Sequence, residues 1–282
     1  MRIVDTYPSF PINPTIESLR NYYHQYPEIF DYYFSRHCTD NNERLAKAID
    51  KYSMDKHSIK IVYNQIGSLI KNVVQIYEKK YQLSFPVDIN LIVGAYGSNA
   101  YTNRKFIPDI TFAMERLTHE KDPLQVIIAH EFGHVAHNII SDQHNIDWTT
   151  MQWEHPYVWL LQEGAATHFS RQILPGLHPS IYFSYKSDGS RWLEFARKHH
   201  TELITRFWHD VMKEKTSNEI FKEWFSINGG KTFGYTRLAY YIADCMFQDF
   251  VTQEGEISTL LLWKDKTYYQ KVNNWFNQMI KR

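Results

Sequence analysis

Cysteine is nearly absent. Cys38 and Cys245 are the only two in 282 residues, which excludes a disulfide framework and any cysteine-rich zinc site. Charge of one sign is missing too: 31 Lys and Arg balance 31 Asp and Glu. No long-range field then draws the chain to nucleic acid or an anionic membrane, and neither is an expected partner. No apolar run approaches the roughly 18 residues of a membrane span. The first stretch carries Arg2, Asp5, Glu17 and Arg20 where a signal peptide needs an uninterrupted apolar core. The expected location is the cytoplasm, and nothing in these features sets an oligomeric state. Repeats and low-complexity linkers are lacking as well. The expectation is one unit over residues 1–282, with a lobe at 1–175 and a helical lobe at 176–282.

What the chain has in quantity is aromatic. Phe, Trp and Tyr make up 16% of it, within a hydrophobic share of 43% and a charged share of 22%. That composition is globular, and it supports a packed interior.

Asn13-Pro14 followed by Ile16, Leu19, Tyr22 and Tyr23 predicts a capped helix reaching about Cys38. Ile59, Val62, Ile66, Ile70, Val73, Val74 and Tyr77 form the stripe of a long helix from Asp55 to about Tyr81. The period then changes. Val87–Val93 and Ile107–Met114 read as strands around a turn at Gly94–Asn99. Helical periodicity returns after Asp122-Pro123 and runs to about Ile139. A polar stretch, Ser141–Glu154, separates it from a helix opened by His155-Pro156. From Ser187 onward nearly everything reads helical, with breaks near Thr216 and at Asn228–Gly230. The class is α+β, mostly helical, with a small mixed sheet.

The chemistry concentrates in His130-Glu131-Phe132-Gly133-His134. On a helix, two histidines four residues apart share a face, so both imidazoles can reach one zinc ion at about 2.0–2.1 Å. Glu131, displaced by about 100°, can approach a water on that ion as a general base without ligating the metal. The flanks Ile127, Ile128, Ala129, Val135 and Ala136 are apolar, so the helix is expected to be buried, where unpaired ionisable groups are costly. A third ligand is needed. A histidine six residues beyond His134 would supply it in one known long motif, but that position is Ile140. Glu163, in the apolar segment Trp159–Thr167, is the better candidate, with Asp142, His144 and His168 weaker. His137 lies about 10 Å along the axis from His130, too far to share the ion, and is expected as a hydrogen-bonded surface residue.

The two segments His130–His134 and Gln162-Glu163-Gly164-Ala165-Ala166 together resemble the gluzincin metallopeptidases, and within them the small bacterial predicted zinc-dependent proteases of unassigned substrate. The resemblance covers roughly residues 85–175. It implies a zincin-like fold with an active-site helix and a glutamate helix. It also implies one Zn2+ per chain held by His130, His134 and Glu163, and Glu131 as base. The 29 residues between His134 and Glu163 exceed the spacing of well-known members, so Ser141–Glu154 reads as an insertion shaping the cleft. The family also implies that Ile110–Met114 is an edge strand for a peptide, and that a Tyr or His from the C-terminal lobe assists the oxyanion. Tyr235, in Phe233-Gly234-Tyr235-Thr236-Arg237, is the best match for that donor, with Arg237, Tyr240 and His209 as alternatives. Thr167 could orient a zinc-bound histidine. Gly94–Asn99 lacks the carboxylate of the aminopeptidase loop it faintly resembles.

The expected function is zinc-dependent hydrolysis of peptide bonds in a peptide or protein substrate. The alternatives are a catalytically inactive binding or regulatory protein of the same fold, and a zinc hydrolase of a non-peptide amide.

Overall fold

A short strand, β1 (Arg2–Asp5), opens the chain and leads into α1 (Ile16–His24) and α2 (Pro27–Arg36). The cap of α1 is Thr15. Its hydroxyl accepts the Ser18 N–H, and the Ser18 hydroxyl accepts the Thr15 N–H in return. The single helix expected up to Cys38 is therefore two. Pro27 has no N–H to donate and is suited to a first turn, so the chain breaks at Gln25–Tyr26 and restarts. The following helix, α3 (Asn42–Tyr81), starts 13 residues earlier than the apolar stripe alone suggested, because Asn41 caps it.

After α3 come β2 (Asp88–Ile92), β3 (Ala100–Thr102) and β4 (Ile110–Ala113). They form one four-stranded mixed sheet in the order β1-β2-β4-β3, parallel between β1, β2 and β4 and antiparallel between β4 and β3. The expected edge strand, β4, lies inside the sheet with partners on both sides. Its backbone hydrogen bonds go to β2 and β3, so it is not available to pair with a peptide.

Two longer helices follow, α4 (Lys121–Gln143) and α5 (Pro156–Ile173). The rest is helical: α6 (Ile181–Ser184), α7 (Ser190–Lys198), α8 (His200–Met212), α9 (Ser217–Ile220), α10 (Leu238–Glu254), α11 (Glu256–Leu260) and α12 (Tyr268–Ile280). The computed structural model describes residues 1–103, 106–213 and 215–281. It divides into two units, Met1–Glu131 and Phe132–Arg282. The division falls inside α4, which is continuous through it. Among the described residues no helix is long and apolar enough to cross a membrane.

In the first unit, the core gathers around the stripe of α3 and the loop after β2. That loop, Gly94–Gly97, is held by buried side chains rather than by a ladder. The Glu115 carboxylate accepts the N–H groups of Gly94 (2.9 Å) and Tyr96 (3.1 Å), and the Tyr33 hydroxyl accepts those of Ala95 and Gly97, both at 2.9 Å. A Cβ on Gly94 or Gly97 would lie within 3 Å of the Tyr33 ring or hydroxyl, so only glycine lets the phenol come this close.

Burial pushes the Glu115 carboxyl up to about 7, against the pull of its N–H donors. The folded chain then holds a proton that the unfolded chain releases between about 4.5 and about 7, so in that window stability falls as pH rises. The loss attributable to this group is at most about 3 kcal/mol. Glu115→Gln should cost about 1–3 kcal/mol, because an amide NH2 would face a backbone N–H. It should also flatten the slope. Urea titrations of both proteins at pH 5 and pH 8 measure it, and equal slopes would remove Glu115 from the explanation.

Candidate metal centre

Helix α4 carries its histidines through the interior. Ile127, Ile128, Ala129, Phe132, Val135 and Ala136 are all buried, as expected from the flanks; His130 is 2% exposed and Glu131 is 7% exposed. In the first unit the Tyr77 hydroxyl donates to the Ala129 carbonyl at 2.7 Å, tying α4 to α3 one residue before His130. Helix α5 starts at Pro156. His155 caps it, its Nδ1 accepting the Tyr157 N–H at 3.1 Å. Trp159, Leu160, Leu161, Ala165 and Ala166 are buried on either side of Glu163.

The two helices meet at glycine. A Cβ on Gly133 would stand 2.9 Å from the Ala166 Cα and 3.2 Å from its carbonyl oxygen. This close approach brings the ligand candidates together. One ligand atom from each of His130, His134 and Glu163 lies within 4.8 Å of the others, and His134 Nε2 is 3.7 Å from Glu163 Oε2. Ligand atoms around a tetrahedral zinc stand roughly 3.3 Å apart. Small side-chain rotations would therefore close the set, and two imidazoles with a carboxylate suit a borderline cation. Among the described residues this is the group of three that could hold a metal ion.

The chain matches no family model, no curated protein and no solved structure. The site is therefore read from its own chemistry.

Burial raises the Glu163 pKa, while His134, a hydrogen bond from the Tyr240 phenol and the charge of Arg237 all lower it. Both of these neighbours come from the start of α10, with Arg237 as its N-cap and Tyr240 in its first turn. Tyr240 was only an alternative in the sequence. Nothing local marks it, because its approach depends on α10 packing on α5, where a Cβ on Gly164 would stand 2.7 Å from the Ala243 carbonyl oxygen. Tyr235 is placed differently. Its ring stacks on Phe195 at 4.4 Å between centroids, and among the described residues no hydrogen bond ties it to the ligand group.

The weaker candidates are engaged elsewhere. His168 is pinned through Nε2 to Glu256 (2.8 Å) and through Nδ1 to the Gln248 amide (3.1 Å). Asp142 accepts the Trp148 indole N–H at 3.4 Å, and the His144 Nδ1 is 2.8 Å from the Ile140 carbonyl. Thr167 is fully buried, and its hydroxyl has no hydrogen-bond partner among the described residues, so it orients no histidine here.

His137 departs from the surface position expected of it. It is fully buried, its Nε2 is 2.7 Å from the Leu260 carbonyl, and its ring stacks on Trp263 at 4.0 Å. A carbonyl only accepts, so Nε2 carries the proton and donates. Burial holds this pKa down near 3, which keeps the ring neutral. Trp263 in turn donates to the Ser141 hydroxyl at 2.9 Å and meets the stacked pair Trp148 and Trp153 edge-on. The Ser141–Glu154 segment is thus anchored by a hydrogen bond at Ser141 and by ring contacts at Trp148 and Trp153.

Gly133→Ala tests the helix crossing. Alanine in a helix interior normally gains about 1 kcal/mol over glycine, but here the obstruction is backbone, which cannot rotate away. The expected net effect is a loss of about 1–3 kcal/mol in unfolding free energy, measured by urea titration. A variant as stable as wild type would show that α4 and α5 need no such closeness.

Proposed function

We propose that this chain is a zinc-dependent hydrolase of peptide bonds, of the gluzincin kind, with a zincin-like arrangement of sheet, active-site helix and glutamate helix. The observation that carries the reading is the convergence of His130, His134 and Glu163 from two helices, with Glu131 buried next to the first histidine. A binding protein that merely kept a metal would need the three ligands but not that carboxylate.

His130 and His134 would hold the ion through imidazole nitrogens and Glu163 through a carboxylate oxygen. When bound, zinc supplies a Lewis acid that polarises the scissile carbonyl and brings the pKa of a water toward 7. Glu131 accepts the proton of the attacking water as its oxygen bonds to the carbonyl carbon. The same carboxyl returns the proton to the amide nitrogen as the C–N bond breaks, so one water is divided between the two products. Tyr240 fixes the Glu163 carboxylate with its hydrogen bond. Its single O–H would have to pass from Glu163 to the negative charge developing on the carbonyl oxygen, so the phenol would serve the two groups in turn. Tyr235 remains the donor suggested by resemblance, and the two phenols are separable by experiment.

The decisive variant is Glu131→Gln. It should keep one zinc per chain by elemental analysis and lose at least about 10²-fold in turnover of a peptide library, because an amide cannot take the water's proton. Wild-type turnover in that variant would refute the mechanism, and absence of any transition metal from Glu163→Ala and wild type alike would refute the site.

Tyr240→Phe should lower kcat by about 10–10³-fold, with a smaller loss of zinc affinity from the missing hydrogen bond to Glu163. Tyr235→Phe should change kcat by less than about threefold, since its ring is committed to Phe195. The reverse ranking would return the oxyanion role to Tyr235.

A further inference from the structure

Beside Glu163 stands a cation that the hydrolytic steps do not use. Arg237 caps α10 with φ of +59°, a left-handed backbone uncommon for a long side chain. Its guanidinium carbon lies 5.1 Å from the centre of the Tyr185 ring and 5.6 Å from that of Tyr240. Tyr185 is itself left-handed, at φ of +55°. Two adjacent residues held in an unfavoured conformation, each placing its side chain in one cluster, are the kind of strain that persists where a site requires it.

The donors of this guanidinium are largely unspent. One Nη donates to the Ser184 carbonyl at a long 3.4 Å, and the Nε is buried without a hydrogen-bond partner. The carboxylate on which its charge acts is that of Glu163, whose pKa it lowers. Aromatic faces on two sides hold the plane by cation–π attraction while leaving its donor edge uncommitted. Arg237 is only partly buried, and so are Tyr240 and Glu163. Tyr240 spans the interval, since its phenol bonds Glu163 while its ring underlies Arg237.

A planar fork with unused donors is matched by a carboxylate, which it binds through two parallel hydrogen bonds. An internal peptide segment offers carbonyls, which fill one donor at a time. A peptide's free C-terminus offers a carboxylate close to a scissile bond. We propose that Arg237 binds the terminal carboxylate of the substrate, so that the site hydrolyses peptides near their C-terminal end. The proposal rests on the hydrolase reading, and it names the substrate class for the same site.

The test uses two libraries of N-acetylated tetrapeptides, identical except that one ends in a free carboxylate and the other in an amide. Zinc-loaded wild type should cleave the free acids at least about 10²-fold faster in kcat/KM. Arg237→Asn suits the left-handed backbone and removes the charge; it should bring the acid-to-amide ratio to within about threefold of one. Arg237→Lys, which keeps charge without the fork, should fall between.

Equilibrium dialysis of both libraries against metal-free protein gives a second readout. Wild type should retain free acids at least about tenfold better than amides, and Arg237→Asn should not. Equal handling of acids and amides by wild type overturns the proposal. So does an unchanged ratio in Arg237→Asn, or a preference that follows Asp or Glu side chains in both libraries. If neither library is cleaved, the hydrolase reading fails, while dialysis still decides whether Arg237 recognises the carboxylate.

Discussion

The approach of α4 to α5 at Gly133 is the constraint on which the candidate site depends. Helical spacing alone puts His130 and His134 on one face, but it cannot supply a third ligand. That ligand has to come from another element, and a carboxylate reaches only a few ångströms from its backbone. The absence of a side chain at Gly133, against the backbone of Ala166, lets Glu163 come within 3.7 Å of His134. The same device recurs on the other side of α5, where Gly164 faces the Ala243 carbonyl and admits α10. Through that second contact Tyr240 and Arg237 arrive at Glu163. Two glycines on neighbouring helices thus set the distances among groups supplied by three.

The heavy tyrosine content has a physical use that composition alone does not show. With 20 tyrosines, the chain uses phenols to bond backbone groups, both in the loop after β2 and on helices. Tyr33 accepts two N–H groups of the loop after β2, Tyr22 accepts the Val93 N–H, Tyr77 donates to the Ala129 carbonyl, and Tyr268 donates to the Tyr157 carbonyl at 2.5 Å. A buried carbonyl or N–H without a partner is costly. A tyrosine fills apolar space and reaches such a group at once. The irregular loop after β2 can therefore lie against the core of its unit without being drawn into regular structure.

What the sequence made legible was local. The spacing of His130, Glu131 and His134, the apolar setting of Glu163, the stripe of α3 and the helical character of the later chain all follow from periodicities within one segment. The readings that changed required information from elsewhere in the chain. β1 and β3 are four and three residues long, too short to carry a period, and the edge position that the resemblance implied for β4 is overturned by β3 beside it. Pro27 split a helix that the apolar pattern ran through. His137 looked exposed because its partners, Leu260 and Trp263, lie more than a hundred residues away. Tyr240 and Arg237 are of the same kind. Their place at Glu163 follows from a left-handed residue and a helix crossing, neither of which a spacing rule encodes.

Glu115, Glu131 and Glu163 are all recessed, but their surroundings differ. Glu115 is wrapped in backbone N–H groups, which hold it as a fixed strut for a loop and leave it nothing to offer a ligand. Glu163 is met from one side by a phenol and faces an imidazole on the other, so its position is fixed while an oxygen remains directed toward the histidines. Glu131 follows His130 directly in α4, is 7% exposed, and is not among the three residues whose ligand atoms converge. Burial raises the pKa of both Glu115 and Glu163. Depth in the protein therefore does not separate a strut from a ligand. The kind of partner does: the Glu115 oxygens are taken by backbone N–H groups, whereas Glu163 is met by the side chains of His134, Tyr240 and Arg237.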